Sequence, residues 1–219
     1  MLSDVHVLFD TAQFEKNGFN NRAKIRTANG EPWLTVPVLV KGRFGRNPIA
    51  NAAIDGTTRW RANHWKTLSQ AYGRAAYFGD HVSFFRQLYE TPWEYLGPLN
   101  IHTLTYLARA LGIRCTFLRA SELSVTGKKM ELVLNLCRVV GATAYISGRN
   151  GRDYLDSATF RTAGIELRFQ AYREPHYAQF RDGFRPYISV VDLLFHHGSK
   201  AAAIMMEGQD TLETGTEPA

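Results

Sequence analysis

The sequence is poor in cysteine and contains no long apolar run. Cys115 and Cys137 are the only two cysteines among 219 residues, which excludes a disulfide framework and a four-cysteine zinc site. No apolar stretch approaches the ~20 residues that a membrane-spanning helix needs, so we expect no membrane span. The first ten residues lack a basic segment followed by a long apolar one, so we expect no signal peptide. These absences favour a cytoplasmic protein.

The composition and the order of predicted elements favour an α/β fold. A chain that is 45% hydrophobic and 21% charged is not mainly disordered. Strand and helix patterns alternate in the second half, which is typical of a parallel sheet. We therefore predict a single α/β domain over residues 1–205, with a mostly parallel sheet and helices on it, and an acidic, disordered tail over 206–219. An inserted β-hairpin is predicted to pair Trp33–Val40 with Ile49–Ile54.

The basic residues are unevenly distributed. The formal net charge is +6, yet four acidic residues and no basic residue follow Lys200. Nine basic residues stand against two acidic ones between Arg22 and Lys66. Such a charge attracts phosphates, acidic sugars or nucleic acid, or it only keeps the protein in solution. No nucleic-acid-binding motif accompanies it, so the favoured partner is an anionic small molecule and nucleic acid is disfavoured.

Polar side chains crowd the segment that follows the first predicted strand, Val5–Phe9. Asp10 stands at the end of that strand, where a carboxylate can act as a general base or hold a sugar hydroxyl. Gln13, Asn20 and Asn21 offer the donors and acceptors that sugar hydroxyls need. The next residue, an arginine, suits a bidentate contact with phosphate or carboxylate. The segment predicts a ligand site, and the alternative is a tight loop built from Asn and Gly.

A second polar segment lies between a predicted strand and a predicted helix over Tyr154–Thr162. It contains Ser147, Gly148 and Gly151, with Tyr154 at its end. Glycines let a backbone approach a ligand, and free N–H groups at a helix start bind anions. The spacing matches neither a P-loop nor a dinucleotide-binding motif. An anion cradle and a plain strand-to-helix turn therefore both stay open.

Two titratable residues stand among apolar neighbours on predicted helices. His64 shares a face with Trp60, Leu68 and Tyr72, so it is either a packed core residue or a proton-transfer group. Asp192 lies within an apolar run and needs a partner, which is either a structural contact or the ligand. Adjacent histidines at 196 and 197 point about 100° apart on a helix. No metal-ligand spacing is present, so we expect neither a metal nor an organic cofactor.

These segments, taken in order, resemble the WbqC-like family of bacterial polysaccharide loci. The resemblance covers nearly the whole chain up to about Gly198, and it is specific for the family rather than for a mechanism. The main segments that carry it are Phe9–Phe14, Asn20–Ile25, Trp33–Val38, Tyr72–Phe78, Tyr145–Tyr154 and Ser189–Gly198.

The resemblance implies an enzyme of cell-surface polysaccharide biosynthesis, because members occur with enzymes that make O-antigen and related sugars of lipopolysaccharide. It implies a transferase that moves an acyl or aminoacyl group to a nucleotide-linked amino sugar. On this hypothesis Asp10 is the acid, base or sugar-orienting group, and His64 is a second proton-transfer residue. Arg22, with Lys24 or Arg26, would neutralise phosphate.

The remaining roles follow from the same hypothesis. Ser147, Gly148 and Gly151 would form a backbone cradle, with Tyr154 stacked beside it. Asn and Gln side chains of the first polar segment, together with Asp192, would contact the substrate. A nucleotide-sugar is thus the expected partner.

The family pattern opens with a strand and a histidine-containing segment before the position of Val5. The resemblance therefore predicts that this sequence starts after the first strand of the family fold. It also keeps open a non-catalytic or truncated member that binds a pathway partner such as an acyl carrier protein.

Overall fold

The computed structural model describes residues 2–40, 46–180, 183–209 and 213–214. The predicted mixed α/β class, with parallel strands and helices, is confirmed. Contacts divide the chain into two compact units. The first comprises the described residues within Met1–Phe9, Arg114–Pro175 and Met205–Ala219, and the second comprises those within Asp10–Ile113 and His176–Ile204. The boundary that the sequence predicts at residue 205 stays a prediction.

The first unit contains the parallel strand pairs. Strand β1 (Val5–Leu8) pairs with β4 (Thr116–Arg119), and β5 (Ala144–Ser147) pairs with β6 (Glu166–Phe169), which also carries the antiparallel β7 (Glu213–Thr214). Helices α4 (Lys129–Val139) and α5 (Ser157–Thr162) belong to this unit. Its apolar core consists of Leu134, Cys137, Leu155, Phe160, Ile165, Leu167 and Phe169.

The second unit is built on helices around a short hairpin. Its helices are α1 (Trp60–Tyr72), α2 (Phe78–Glu90), α3 (Leu96–Ala110) and α6 (Val190–His197). Helix α7 (Ala201–Glu207) follows a single 3-10 turn, and its residues up to Ile204 belong to this unit. Every fourth residue of α1 from its start is buried, as the sequence predicts, because one turn is 3.6 residues. The core comprises Phe14, Ile25, Ala52, Ile54, Trp60, Leu68, Tyr72, Phe78, Phe85, Leu88, Leu96, Leu99, Val191 and Phe195.

The hairpin differs from the prediction. Strand β2 (Arg22–Lys24) pairs antiparallel with β3 (Trp33–Thr35). The predicted return strand at Ile49–Ile54 is wrong, because Ile49–Asn51 forms a 3-10 turn and only an isolated bridge joins Val38 to Ile54. The connection between the two predicted strands lies partly outside the described residues.

Asp80 lies in the first turn of α2, where its charge suits the helix dipole. Leu104 of α3 is 37% exposed. One helix boundary differs from the prediction. Helix α5 starts at Ser157 rather than Tyr154, because the Asp156 side chain caps it by accepting a hydrogen bond from the Thr159 N–H at 2.7 Å. Within the described residues, every helix is too short or too polar to cross a lipid bilayer.

Candidate functional site

A strand pair of the second unit presents cations beside aromatic rings. The guanidinium of Arg22 lies 4.2 Å from the centre of the Trp33 ring, and the Lys24 ammonium lies 5.3 Å from it. The antiparallel register places Lys24 opposite Trp33, and Arg22 two residues away on the same strand face. Phe19 is 85% exposed, and its ring centre lies 5.7 Å from that of Trp33. We call Phe19, Arg22, Lys24 and Trp33 the basic hairpin face.

Buried and half-buried polar groups fix this face in place. The Asn21 side chain donates to the Val36 carbonyl at 2.8 Å, and the Val36 N–H donates to the Asn21 carbonyl at 2.8 Å. Arg22 donates to the Asn17 carbonyl, while its Nε is buried and has no hydrogen-bond partner in the part of the chain that the structure describes. Lys24 pairs with Glu31 at 4.0 Å. Because these contacts use only part of each cation's donor capacity, charge remains available at the surface.

The other residues of the first polar segment hold neighbouring chain segments. Asp10 is buried, and its carbonyl accepts from the Ala50 N–H at 2.9 Å. The Gln13 Oε1 accepts from the Asn47 N–H at 2.9 Å. The Asn20 carbonyl accepts from the Asn100 side chain at 2.8 Å. These bonds give the segment a structural function, and a ligand-binding role for it stays a prediction.

The second polar segment belongs to the first unit and is a 3-10 turn over Arg149–Asp153. A Cβ on Gly151 would lie 2.9 Å from the Ser147 Cβ and even closer to its hydroxyl oxygen. The chain's own serine therefore fills the space that Gly151 leaves. Gly148 faces open space, and Tyr154 is 47% exposed. The turn thus offers a ligand Gly148 and Tyr154, while Ser147 and Gly151 pack against each other.

His64 is enclosed by aromatic rings on α1 and α2. It is 8% exposed, and its ring centre lies 5.3 Å from that of Trp60 and 5.8 Å from that of Tyr89. Burial lowers the pKa of the His64 imidazole from its ordinary 6.5 to about 4, against the smaller effect of a hydrogen bond to the Thr35 backbone. The ring is therefore neutral near pH 7 and packs as a core residue.

Asp192 is fully buried and ends a chain of hydrogen bonds. The Tyr72 hydroxyl donates to the Asp192 Oδ1 at 2.8 Å and accepts from the Arg26 backbone N–H at 3.0 Å. Burial, reinforced by the nearby Asp192 charge, raises the pKa of Tyr72, so its hydroxyl stays a donor. The Asp192 Oδ2 has no hydrogen-bond partner among the described residues.

His196 lies one helical turn after Asp192 on α6. Its Nδ1 lies 2.7 Å from the Asp192 carbonyl oxygen and 3.8 Å from the Asp192 Oδ2, and its Nε2 is buried with no partner among the described residues. We call Tyr72, Asp192 and His196, with the Arg26 N–H, the Asp192 cluster. The sequence prediction included Asp192 but missed His196 and Tyr72. The four-residue spacing between Asp192 and His196 is the sequence signal that could have linked these two residues.

Among the residues that the structure describes, no group of three or more His, Cys, Asp or Glu side chains could hold a metal ion. The predicted residues thus occupy distinct settings. The basic hairpin face and the Asp192 cluster lie in the second unit, and the Ser147–Tyr154 turn lies in the first.

Comparison with known sequences finds one matching protein family and one similar protein. The sequence model of the WbqC-like protein family matches residues 1–204. A protein of Mycobacterium tuberculosis, described as uncharacterized protein Rv1507c, is 35% identical over 202 residues, which cover 90% of this chain and 86% of that protein. No solved structure matches this chain.

Proposed function

Because the chain belongs to the WbqC-like protein family, we propose that it is a cytoplasmic transferase of cell-surface polysaccharide biosynthesis. It transfers an acyl or aminoacyl group to the amine of a nucleotide-linked amino sugar. The pathway follows from the resemblance of its segments to a family found in polysaccharide loci. The chemistry of the second unit supports the proposed substrate class.

The observation that carries the proposal is the basic hairpin face. A nucleotide-sugar presents a negatively charged diphosphate next to an aromatic base. Arg22 and Lys24 supply positive charge, and Arg22 can also make paired hydrogen bonds with phosphate oxygens. Phe19 offers an almost fully exposed ring on which a base can stack, which contributes ~1–3 kcal/mol in nucleic-acid complexes. Both cations lie close to the Trp33 ring, so groups that can bind phosphate and rings that can stack on a base are neighbours on this face.

The other predicted roles stay predictions. In the second unit, Asp10 would orient or deprotonate the sugar, and Gln13 and Asn20 would contact its hydroxyls. The turn at Gly148 and Tyr154 in the first unit is a separate predicted anion contact. His64, enclosed by rings and neutral near pH 7, is the weaker of the two proposed catalytic residues.

A thermal melt against nucleotides and nucleotide-linked amino sugars tests the substrate class. A ligand at about 100 times its Kd stabilises by ~2.7 kcal/mol, which raises the Tm of a chain of this size by several degrees. We expect one nucleotide-sugar to raise the Tm of the wild type. The double variant Arg22→Ala/Lys24→Ala should lose that shift.

Arg86→Ala is the matched control, because it removes a cation that lies 6.0 Å from the ring centre of a different tryptophan, Trp65. It should keep the full shift. The proposal fails if no nucleotide-sugar moves the melt, or if the double variant responds like the wild type. Tight binding of acyl carrier protein with no small-molecule response would favour the non-catalytic alternative.

A further inference from the structure

The Asp192 cluster contains a histidine that is poised to accept a proton and that the sequence prediction left without a role. We propose that His196 is the general base that deprotonates the acceptor amine, with Asp192 and Tyr72 as its positioning residues. This inference rests on the proposed transfer to an amino sugar. It assigns the proton transfer to the Nε2 of His196.

The hydrogen bond at Nδ1 fixes the tautomer of His196. Its partner at 2.7 Å is the Asp192 carbonyl oxygen, which can only accept, so the Nδ1 must carry the proton and donate. In the neutral ring the Nε2 then holds a lone pair. That lone pair is buried and has no partner among the described residues, and an unpaired buried polar atom calls for an explanation such as a ligand or a catalytic role.

Asp192 can stabilise the imidazolium that forms when the Nε2 takes a proton. Its Oδ2 has no hydrogen-bond partner among the described residues and lies 3.8 Å from the His196 Nδ1, close enough to attract the charged ring. Its Oδ1 is held by the Tyr72 hydroxyl at 2.8 Å. The Asp192 carbonyl oxygen orients the imidazole, and the Asp192 carboxylate can stabilise its charged form. In the acid–base dyads of acyl-transfer enzymes one carboxylate does both.

The neighbours of His196 define where the amine approaches. Tyr72 from α1 is buried on one side, while Phe180 is 52% exposed and its ring centre lies 6.5 Å from that of His196. The titratable groups that face this region are Asp192, Tyr72, Tyr177 and His197. We therefore place the approach of the amine on the exposed Phe180 side of the ring.

The reaction balances with an acyl thioester as the donor. The amine nitrogen attacks the thioester carbonyl carbon, a C–N bond forms, and the proton lost from nitrogen goes to the His196 Nε2. The tetrahedral intermediate then collapses, the C–S bond breaks, and the sulfur leaves as a thiol with the proton from Nε2. An amide and a thiol result, and His196 returns to its neutral form.

The test measures transfer from acetyl-coenzyme A, or from the thioester donor that a screen identifies, to a UDP-linked amino sugar. His196→Gln should lower kcat about 100-fold or more with little change in KM, since general bases contribute about 10²–10⁴-fold. The fall of the rate at low pH, which the wild type should show, should disappear. Asp192→Asn should lower kcat by less. His102→Gln, an exposed histidine on α3, is the matched control and should keep the rate.

Modification of the wild type with diethyl pyrocarbonate gives a readout that does not depend on a variant folding. His196 should be labelled, the labelling should follow the loss of activity, and the UDP-linked amino sugar should protect it. The inference fails alone if the wild type is active while His196→Gln keeps its kcat and pH profile, or if His196 is unreactive in the active enzyme. If the wild type transfers no acyl group to any nucleotide-sugar, the proposed function fails and the inference fails with it.

Discussion

His64 and His196 each lie four residues after a buried partner on a helix of the second unit, but the partners differ. His64 follows Trp60 on α1, and its ring packs between aromatic rings. His196 follows Asp192 on α6, and its ring lies against a carboxylate and a backbone carbonyl. The residue one turn earlier thus decides whether a half-buried or buried imidazole is a packing group or a proton acceptor.

The comparison also separates two consequences of burial. The aromatic cage of His64 offers no negative charge, so burial outweighs the opposing effect of the Thr35 backbone hydrogen bond and lowers the pKa of His64. In the Asp192 cluster a carboxylate oxygen and a ring nitrogen instead both lack a hydrogen-bond partner among the described residues. We expect changes near His64 to alter stability and changes near His196 to alter catalysis.

Removal of the cage should have the largest effect on stability. Trp60→Ala deletes a buried ring that contacts both His64 and Tyr89, so the free energy of unfolding should fall by about 3–5 kcal/mol. Urea denaturation measures the change. Trp33→Ala, in the half-buried hairpin, is the matched control and should cost clearly less. Equal losses in the two variants would contradict the buried role of the α1 cage.

The pH dependence of stability should come next in size. His64 has a pKa of about 4 in the folded chain and about 6.5 when unfolded, so the unfolded chain binds the proton first as pH falls. Stability is therefore full above about pH 6.5 and declines toward pH 4, by at most about 3 kcal/mol, because one pKa unit corresponds to 1.36 kcal/mol.

His64→Gln isolates this contribution, because glutamine does not titrate. The wild-type free energy of unfolding should approach or fall below that of the variant as pH drops from 6.5 to 4. Since burial also lowers the pKa of His81, the difference between the two proteins is the quantity to measure. A difference that is constant across this pH range would show that His64 does not titrate in the way its cage implies.

Periodic burial is what the sequence could predict. The α1 stripe of Trp60, His64, Leu68 and Tyr72 is buried as expected. The four-residue spacing of these side chains predicts which helix face packs against the core. Strand β1 (Val5–Leu8) lies within one residue of its predicted range, Val5–Phe9. Local patterns carry this information, so no tertiary knowledge is needed.

Pairing between distant segments is what the sequence could not predict. Strand β2 has only three residues, Arg-Ala-Lys, and nothing in them identifies β2, rather than Ile49–Ile54, as the partner of β3. The partner of Asp192 is Tyr72, 120 residues earlier. From the sequence alone, a tyrosine in an apolar stripe can be either a packing residue or a hydrogen-bond donor. Its hydroxyl acquires a role only when α1 and α6 are placed side by side.

The smallest effect is expected where that distant pair is broken. Tyr72→Phe keeps the buried ring but removes the donor to the Asp192 Oδ1 and the acceptor of the Arg26 N–H, so stability should fall by ~2 kcal/mol. Tyr106→Phe is the matched control, because its hydroxyl bonds the His81 ring at 2.7 Å at a half-buried site and should cost ~1 kcal/mol or less. A double-mutant cycle with Asp192→Asn measures the coupling, which should be at least ~0.5 kcal/mol. Strictly additive losses would mean that Tyr72 contributes only its ring, and that Asp192 holds His196 without help from α1.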